Sequence, residues 1–218
     1  MPDPTRAAPA FVDRADAGRR LADAVAALPG LIDPIVLALP RGGVPIGAPV
    51  ARRLGAPLDV LVVRKLGVPG HEELAMGAVA SGGIAVLDEE LIARAGVAPG
   101  TVASIRRREE AEVRARVRRY RGELPPPPLR DRSVIVVDDG VATGSTMLAA
   151  VAALRSSGAR ELIVAVPVAA AETCRRIADA SDRFVCLRAP EALWAISLWY
   201  EAFDQVADDE VRRLLRAG

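Results

Sequence analysis

Two adjacent acids followed by small hydroxyl residues stand out in the segment 134–146, which reads VIVVDDGVATGST. Its apolar residues predict a strand that delivers Asp138 and Asp139 to the edge of a sheet, where two carboxylates can accept hydrogen bonds from the two neighbouring hydroxyls of a ribose. Such charge-assisted hydrogen bonds contribute about 1.5 to 3 kcal/mol each. Residues 143–146 then open a helix, whose free backbone N–H groups can hold a phosphate. The spacing predicts a site for a pentose 5-phosphate.

The loop after the acids supplies the groups that a phosphate needs. Gly144 lets the backbone approach an anion. The other candidate contacts of this loop, three of which carry hydroxyl donors, are Ala142, Thr143, Ser145 and Thr146. A P-loop is disfavoured because no lysine lies here, and Gly140 and Gly144 alone do not make a dinucleotide fingerprint. An acidic turn before a Ser/Thr-capped helix, without any ligand, is the alternative interpretation.

Apolar runs and helical periods alternate along the chain and predict the elements that carry this loop. Strands are predicted at 35–39, 58–63, 84–87, 133–137, 161–167 and 183–187, and helices at 13–28, 44–54, 88–95, 99–121, 144–157 and 170–180. The glycine-rich stretch 65–83 is predicted as a long loop with room for a short hairpin, and the prolines 125–128 as a stiff break. We expect an α/β fold, a single domain over 1–218 with an open, doubly wound, mainly parallel sheet that binds ligands at the carboxyl ends of its strands.

Composition excludes several classes of protein. With 51% hydrophobic and 26% charged residues the chain is unlike a disordered one, and its apolar runs are far shorter than the roughly 20 residues that span a bilayer. The first ten residues lack the pattern of a secretory signal, so we expect a cytoplasmic protein that does not contact membranes. A net charge of +1 gives no general reason to expect a nucleic-acid partner. Cys174 and Cys186 lack metal-ligand spacing and are predicted to be buried thiols.

The segment 134–146 resembles the phosphoribosyl diphosphate (PRPP) motif of the type I phosphoribosyltransferases. Further segments resemble one bacterial subgroup of that superfamily whose substrate is unassigned. They read FVDRADAGRRLA at 11–22, LALPRGGVPIG at 37–47, VVRKLGVPGHEELAMGAVASGG at 62–83 and WYEAF at 199–203. The likeness implies a transferase that moves the 5-phosphoribosyl group of PRPP to a nitrogenous acceptor such as a nucleobase, with release of pyrophosphate, and that acts in nucleotide salvage.

The resemblance also implies roles for residues outside the central motif. Arg41, Gly42 and Gly43 match the pyrophosphate loop, which often has an unusual peptide geometry in the superfamily. Arg64 and Lys65 match the start of the mobile catalytic loop, and Lys65 and Arg41 would assist the departing diphosphate. Mg²⁺ would be held by Asp138 and Asp139 indirectly, through ribose hydroxyls or water, together with the substrate's own oxygens. A simple tight turn at 41–43 and a solvated charge pair at 64–65 are the alternatives.

The acceptor pocket is less well determined. Relatives that use 6-oxopurines commonly carry an aspartate where this chain has Ala142, which makes those bases weaker candidates. Trp194 and Trp199 are candidates for stacking on a planar base, with packing of the last helix as the alternative. We expect lid elements at about 88–128 and 188–218. His71 is predicted to be an exposed loop residue, and Glu73 is a candidate only by its place in the loop.

Residues 106–121 hold eight arginines against three glutamates. Such a helix can steer the anionic PRPP or contact RNA, but a solvated or dimer-facing helix is the simpler interpretation. An enzyme, expected as a homodimer, is the leading hypothesis. A PRPP- or nucleotide-sensing regulator that has lost turnover, with this helix on nucleic acid, is the second.

Overall fold

The computed structural model describes residues 9–217. Residues 1–8 and Gly218, which the predicted domain includes, lie outside the described residues, as does most of the stretch in which no secretory signal is predicted. Among the described residues, no helix combines the length and the apolar character needed to cross a membrane.

A five-stranded parallel sheet forms the centre of the molecule, with strand order β2-β1-β6-β7-β8. Its strands are β1 (Ile35–Ala38), β2 (Leu58–Val60), β6 (Ser133–Val137), β7 (Glu161–Val168) and β8 (Arg183–Arg188). All residues of β1, β2 and β6 are buried, as expected for strands covered on both faces, and apart from Asp59 and Ser133 all of these residues are apolar. The predicted α/β class and the open, doubly wound, parallel sheet are confirmed.

Helices cover both faces of this sheet. One core cluster joins the sheet to α1 (Arg14–Ala26), α2 (Gly43–Leu54) and α7 (Asp208–Arg216), and the other joins it to α5 (Ser145–Leu154) and α6 (Ala171–Ala180). The helices α1 and α2 pack closely, because a Cβ atom at Gly18 would lie only 2.9 Å from the carbonyl oxygen of Ile46. This contact fixes the start of α1 beside the carboxyl ends of the strands.

The stretch 65–83 is not the predicted long loop, although the hairpin allowed for there is present and is longer than expected. The chain there forms β3 (Val63–Val68) and β4 (His71–Ala80), which pair with β5 (Ile84–Leu87) in a small antiparallel sheet that serves as the lid. Glycines interrupt the alternation of apolar and polar side chains that marks a strand. Gly70 has a φ of +78° in the hairpin turn, and a side chain at Gly67 would collide with the backbone of Glu72. The predicted second strand, 58–63, is correspondingly divided between β2 and β3.

The helices α3 (Glu89–Arg94) and α4 (Pro99–Arg121) follow this sheet, and α4 packs on it through Val102, Val113 and Val117. One carboxylate of α4 is also buried at this contact. Glu109 is 5% exposed and accepts hydrogen bonds from Arg64 Nε on β3 at 2.8 Å and from its neighbour Arg108 at 3.0 Å. This cluster ties the lid sheet to the arginine-rich helix.

The two thiols are only partly buried, which corrects the prediction. Cys174 on α6 and Cys186 on β8 are free, with their sulfur atoms 3.9 Å apart. They lie where α6 crosses the edge strand β8, which is covered by fewer elements than the central strands. Burial, together with the neighbouring sulfur, raises the pKa of Cys186 to about 12, so this thiol is unreactive near neutral pH.

Replacing Glu109 with Gln should lower the free energy of unfolding by about 1 to 3 kcal/mol at neutral pH, because it removes charge-assisted hydrogen bonds from a buried position. Although burial raises the pKa of Glu109, hydrogen bonds from Arg64 and Arg108 bring it below its ordinary value of 4.5. The carboxylate therefore adds stability above the pKa of the unfolded chain and loses that contribution as the pH falls through its folded-state pKa. Denaturant unfolding of both proteins should show the difference closing in acid.

Glu112→Gln is the control for this experiment, because Glu112 is exposed on the same helix. It should change the unfolding free energy little at either pH. A difference between the native protein and Glu109→Gln that persists unchanged in acid would contradict this assignment.

Candidate active site

The acid pair lies at the carboxyl end of β6, as the sequence predicts. The backbone N–H of Asp139 donates to Asp138 Oδ1 at 2.8 Å, and this turn holds the first carboxylate against the protein. Burial raises the pKa of Asp138 well above its ordinary value, and the negative charge of Asp139 raises it further. Charge on Asp138 is therefore costly in the free protein, and hydroxyl donors or a cation near it would reduce that cost.

The glycine loop at 41–43 lies directly against these acids. Strands β1 and β6 pair in parallel, so the residues that follow them meet at the same edge of the sheet. A Cβ atom at Gly42 would lie 2.0 Å from Asp139 Oδ2, and one at Gly43 would lie 2.7 Å from the carbonyl oxygen of Val137. The peptide bond between Pro40 and Arg41 is cis, which agrees with the unusual peptide geometry expected here. Both glycines are required by space, because no side chain fits between the loop and the acids.

Residues 142–146, which the sequence predicts to bind a phosphate and which we call the phosphate loop, lead into α5 at Ser145. Gly144 precedes the helix with a φ of +78°, and a side chain there would lie 2.7 Å from Thr173 Cγ2. The start of α6 supports the loop from below: Thr173 Oγ1 donates to the carbonyl oxygen of Ala142 at 2.6 Å, and Arg176 donates to that of Thr143 at 3.2 Å. Sequence reasoning missed both supporting residues, since each is an ordinary polar residue of a helix about 30 positions away.

The two cations of β3 contact different carboxylates. Arg64 is held by Glu109 on α4. Lys65 has its Nζ atom 3.6 Å from an oxygen of Glu73, whose side chain is fully exposed. Both line a cavity of 370 Å³ that reaches Thr146 of the phosphate loop. Arg64 and Lys65 therefore lie beside the same cavity as the phosphate loop, but each is paired with a different carboxylate.

The remaining candidates lie around this region with differing exposure. Arg41 faces Asp208 at the start of α7, with 3.7 Å between guanidinium and carboxylate. Trp194 is 80% exposed, whereas Trp199 is partly buried against the core cluster beneath α1 and α2. His71 is exposed, as predicted, but begins β4 and is not in a loop. Among residues 9–217 no group of three or more His, Cys, Asp or Glu side chains is arranged to hold a metal ion.

Comparison with known families agrees with this geometry. Residues 14–201 match the model of the phosphoribosyl transferase domain. The chain belongs to this family. A phosphoribosyl transferase uses PRPP. In this chain the acids and the glycine loop follow neighbouring parallel strands, and the helix N-terminus follows the acids.

Individual relatives extend the comparison. The chain is 42% identical over 201 residues to proteins from two strains of Mycobacterium tuberculosis that carry the name of a phosphoribosyl transferase. The match covers 92% of this chain but only 45% of those relatives, so the chain spans about half their length. A crystal structure of a protein from Thermus thermophilus superposes with a TM-score of 0.86 at 42% identity and covers 94% of this chain and 97% of that one.

Replacing Gly42 with Ala should lower the free energy of unfolding by about 1 to 3 kcal/mol, because the new methyl group overlaps Asp139 Oδ2 and forces a carboxylate or the loop to move. Gly100→Ala is the matched control, since a Cβ atom at Gly100 would have open space around it. Denaturant unfolding measures both. Equal stability of Gly42→Ala and the native protein would mean that loop and acids are not in contact.

Proposed function

We propose that this protein transfers the 5-phosphoribosyl group of PRPP to a nitrogenous acceptor, taken to be a nucleobase, with release of pyrophosphate. One observation carries the proposal: three kinds of recognition group meet at the carboxyl ends of β1 and β6. They are an acid pair for a ribose diol, a helix N-terminus for a phosphate, and a glycine loop with an arginine for a diphosphate. A pentose 5-phosphate with a diphosphate on C1 is the molecule that has all three partners.

The phosphate and ribose ends are recognised by different parts of the site. Backbone N–H groups at the start of α5 and the hydroxyls of Thr143, Ser145 and Thr146 would bind the 5-phosphate. Asp138 and Asp139 would accept hydrogen bonds from the ribose hydroxyls, and those donors would relieve the cost of charge on the buried Asp138. The ribose is thereby held with C1 toward the glycine loop.

During transfer, the bond between C1 and the diphosphate oxygen breaks as the acceptor nitrogen forms its bond to C1 from the opposite face. C1 gains oxocarbenium character, and negative charge accumulates on the departing diphosphate. Arg41 and Lys65, with the backbone N–H groups of the glycine loop, would stabilise that charge. The residues therefore act by positioning and electrostatics, without a covalent intermediate on the protein.

Magnesium fits this donor set. Carboxylate, hydroxyl and phosphate oxygens are the ligands that Mg²⁺ prefers, and Asp138 and Asp139 would hold it through the ribose hydroxyls or water. When bound, the ion would neutralise charge on the departing diphosphate. Since residues 9–217 offer no group of three or more possible metal ligands, most of the ligands would come from the substrate and from water.

The lid would exclude water from C1. Lys65 belongs to the antiparallel sheet, and we propose that segments 88–128 and 188–218 complete the cover, with the exposed Trp194 available to stack on the acceptor. Trp199, already packed against the core, is the weaker stacking candidate. The expected homodimer and the salvage role stay predictions.

Replacing both Asp138 and Asp139 with Asn should weaken PRPP binding by about 100-fold or more, because two charge-assisted hydrogen bonds are lost, each contributing about 1.5 to 3 kcal/mol. Isothermal titration with PRPP and Mg²⁺ measures the change, and circular dichroism checks that the fold persists. Asp209→Asn, at an exposed position on α7, is the control. Unchanged PRPP affinity in the double variant would remove the ribose assignment.

Lys65→Ala should lower kcat by roughly 10- to 1000-fold with a smaller change in PRPP affinity, because Lys65 stabilises charge that develops mainly as the diphosphate leaves. Pyrophosphate release during a screen of purines, pyrimidines and simple amines provides the assay and identifies the acceptor. One outcome would contradict catalysis: PRPP binds, but no acceptor in the screen causes the release of pyrophosphate. That result would favour the PRPP-sensing regulator.

A further inference from the structure

Two sequence segments outside the loops assigned to phosphate, ribose and diphosphate meet beside the acid pair. They are FVDR at 11–14 and WYEAF at 199–203. Phe11 forms a parallel bridge with Tyr200, and the backbone N–H of Glu201 donates to the carbonyl oxygen of Phe11 at 2.9 Å. The rings of Phe11 and Tyr200 lie 5.4 Å apart, and Tyr200 contacts Phe203 at 4.9 Å. The two ends of the described chain thus form one aromatic cluster next to the site.

Arg14 extends from this cluster into the site. Its Nε atom donates to Asp139 Oδ2 at 2.8 Å, and the two side chains are 12% and 13% exposed. The guanidinium lies 3.7 Å from the centre of the Phe203 ring, and a terminal nitrogen donates to the carbonyl oxygen of Asp204 at 2.7 Å. Arg14 is therefore fixed on three sides, by a carboxylate, an aromatic face and a backbone carbonyl.

Asp139 is held equally firmly. Its carbonyl oxygen accepts a hydrogen bond from the Tyr200 hydroxyl at 2.6 Å, and its Oδ2 atom faces both Arg14 and the space beside Gly42. Among the hydrogen bonds of residues 9–217, none uses Asp139 Oδ1. Arg14 thus holds one oxygen of the carboxylate, and the side chain of Asp138 lies close enough to share a hydrogen bond with that of Asp139.

A purely structural tie would not need this chemistry. Removing a carboxylate and a guanidinium from water is costly, and apolar side chains of similar size often stabilise a fold as well or better. The guanidinium is itself held by the Phe203 ring and the Asp204 carbonyl, so its hydrogen bond from Nε fixes the position of Asp139 Oδ2, which an apolar contact cannot do. Because this ion pair includes the acid predicted to bind the ribose, its role is to orient that acid.

We infer that Arg14 is a positioning residue of the ribose subsite. It holds Asp139 by Oδ2 and so fixes the position of the carboxylate that would bind a ribose hydroxyl, and it connects that acid to the aromatic cluster formed by both chain ends. This inference rests on the proposed function, since it assigns to Arg14 a role in binding the sugar of PRPP.

The test compares two probes that share the site but not the sugar. Ribose 5-phosphate with Mg²⁺ should bind Arg14→Gln about 10- to 100-fold more weakly than the native protein, as expected for a misdirected charge-assisted hydrogen bond. Inorganic pyrophosphate with Mg²⁺ should bind Arg14→Gln and the native protein with affinities within about twofold of each other, because it would contact the glycine loop and has no diol for the acids to bind. Arg14→Lys, which keeps the charge but loses the planar group stacked on Phe203, should recover part of the ribose 5-phosphate affinity. Isothermal titration measures all of these.

Arg20→Gln is the matched control, because Arg20 lies on the same helix near the Phe11 ring but pairs with Asp16 away from the acids. It should bind both probes as the native protein does. If Arg14→Gln does not fold, Phe203→Leu removes the ring beneath the guanidinium and should weaken ribose 5-phosphate by about 3- to 10-fold, with pyrophosphate unchanged.

The outcomes separate this inference from the proposed function. Native protein that binds neither PRPP nor ribose 5-phosphate would overturn both. Native protein that binds ribose 5-phosphate, with Arg14→Gln and Phe203→Leu binding it equally well, would overturn the inference alone. Equal loss of ribose 5-phosphate and pyrophosphate binding, without recovery by Arg14→Lys, would mean a general structural role and would also overturn it.

Discussion

The parallel pairing of β1 with β6 is the constraint on which the site depends. It aligns Ala38 with Val137, so the glycine loop and the acid pair leave the sheet side by side. The gap between them is too small for even one methyl group at Gly42. A sheet of parallel strands collects the ends of distant segments at one edge, and here it brings together a loop that can accept a diphosphate and acids that can hold a ribose.

This closeness has an electrostatic consequence. Two carboxylates follow each other in a protected position, and the one without a cation, Asp138, has its pKa raised, whereas Asp139 is paired with Arg14. Under the proposed function this asymmetry would suit the pair to a neutral diol and a divalent cation, since both would favour charge on Asp138. An additional fixed arginine beside Asp138 would relieve the same charge but would also occupy the oxygens that the sugar needs.

Much of the fold could be predicted from the sequence wherever one local signal was strong. The boundaries of α4 follow from Pro99 at its start and Gly122 after its end, and those of β6 from a continuous apolar run before two acids. The antiparallel lid sheet could not be predicted in this way. Its glycines remove the side chains whose alternation marks a strand, so their role in close backbone contacts is visible only in three dimensions.

The same distinction applies to the site. Its motif residues could be predicted because a tight turn, a helix N-terminus and paired acids each need a specific residue type at a fixed spacing. Supporting residues have no such local signal: Arg14 meets Asp139 across 125 positions of the chain, and Thr173 meets Ala142 across 31. Long-range partners of this kind depend on how α1 and α6 pack on the sheet, which single residues do not encode.

Two arginines of the site meet carboxylates with opposite consequences. Arg41 and Asp208 are 37% and 29% exposed and 3.7 Å apart, and such a solvated pair contributes about 0 to 1 kcal/mol, so a diphosphate can displace Asp208 at little cost. Arg14 and Asp139 are both nearly enclosed, and separating them would leave a buried charge unpaired at a cost of about 3 to 5 kcal/mol. Arg41 is therefore suited to exchange partners during binding, and Arg14 is suited to keep one partner throughout.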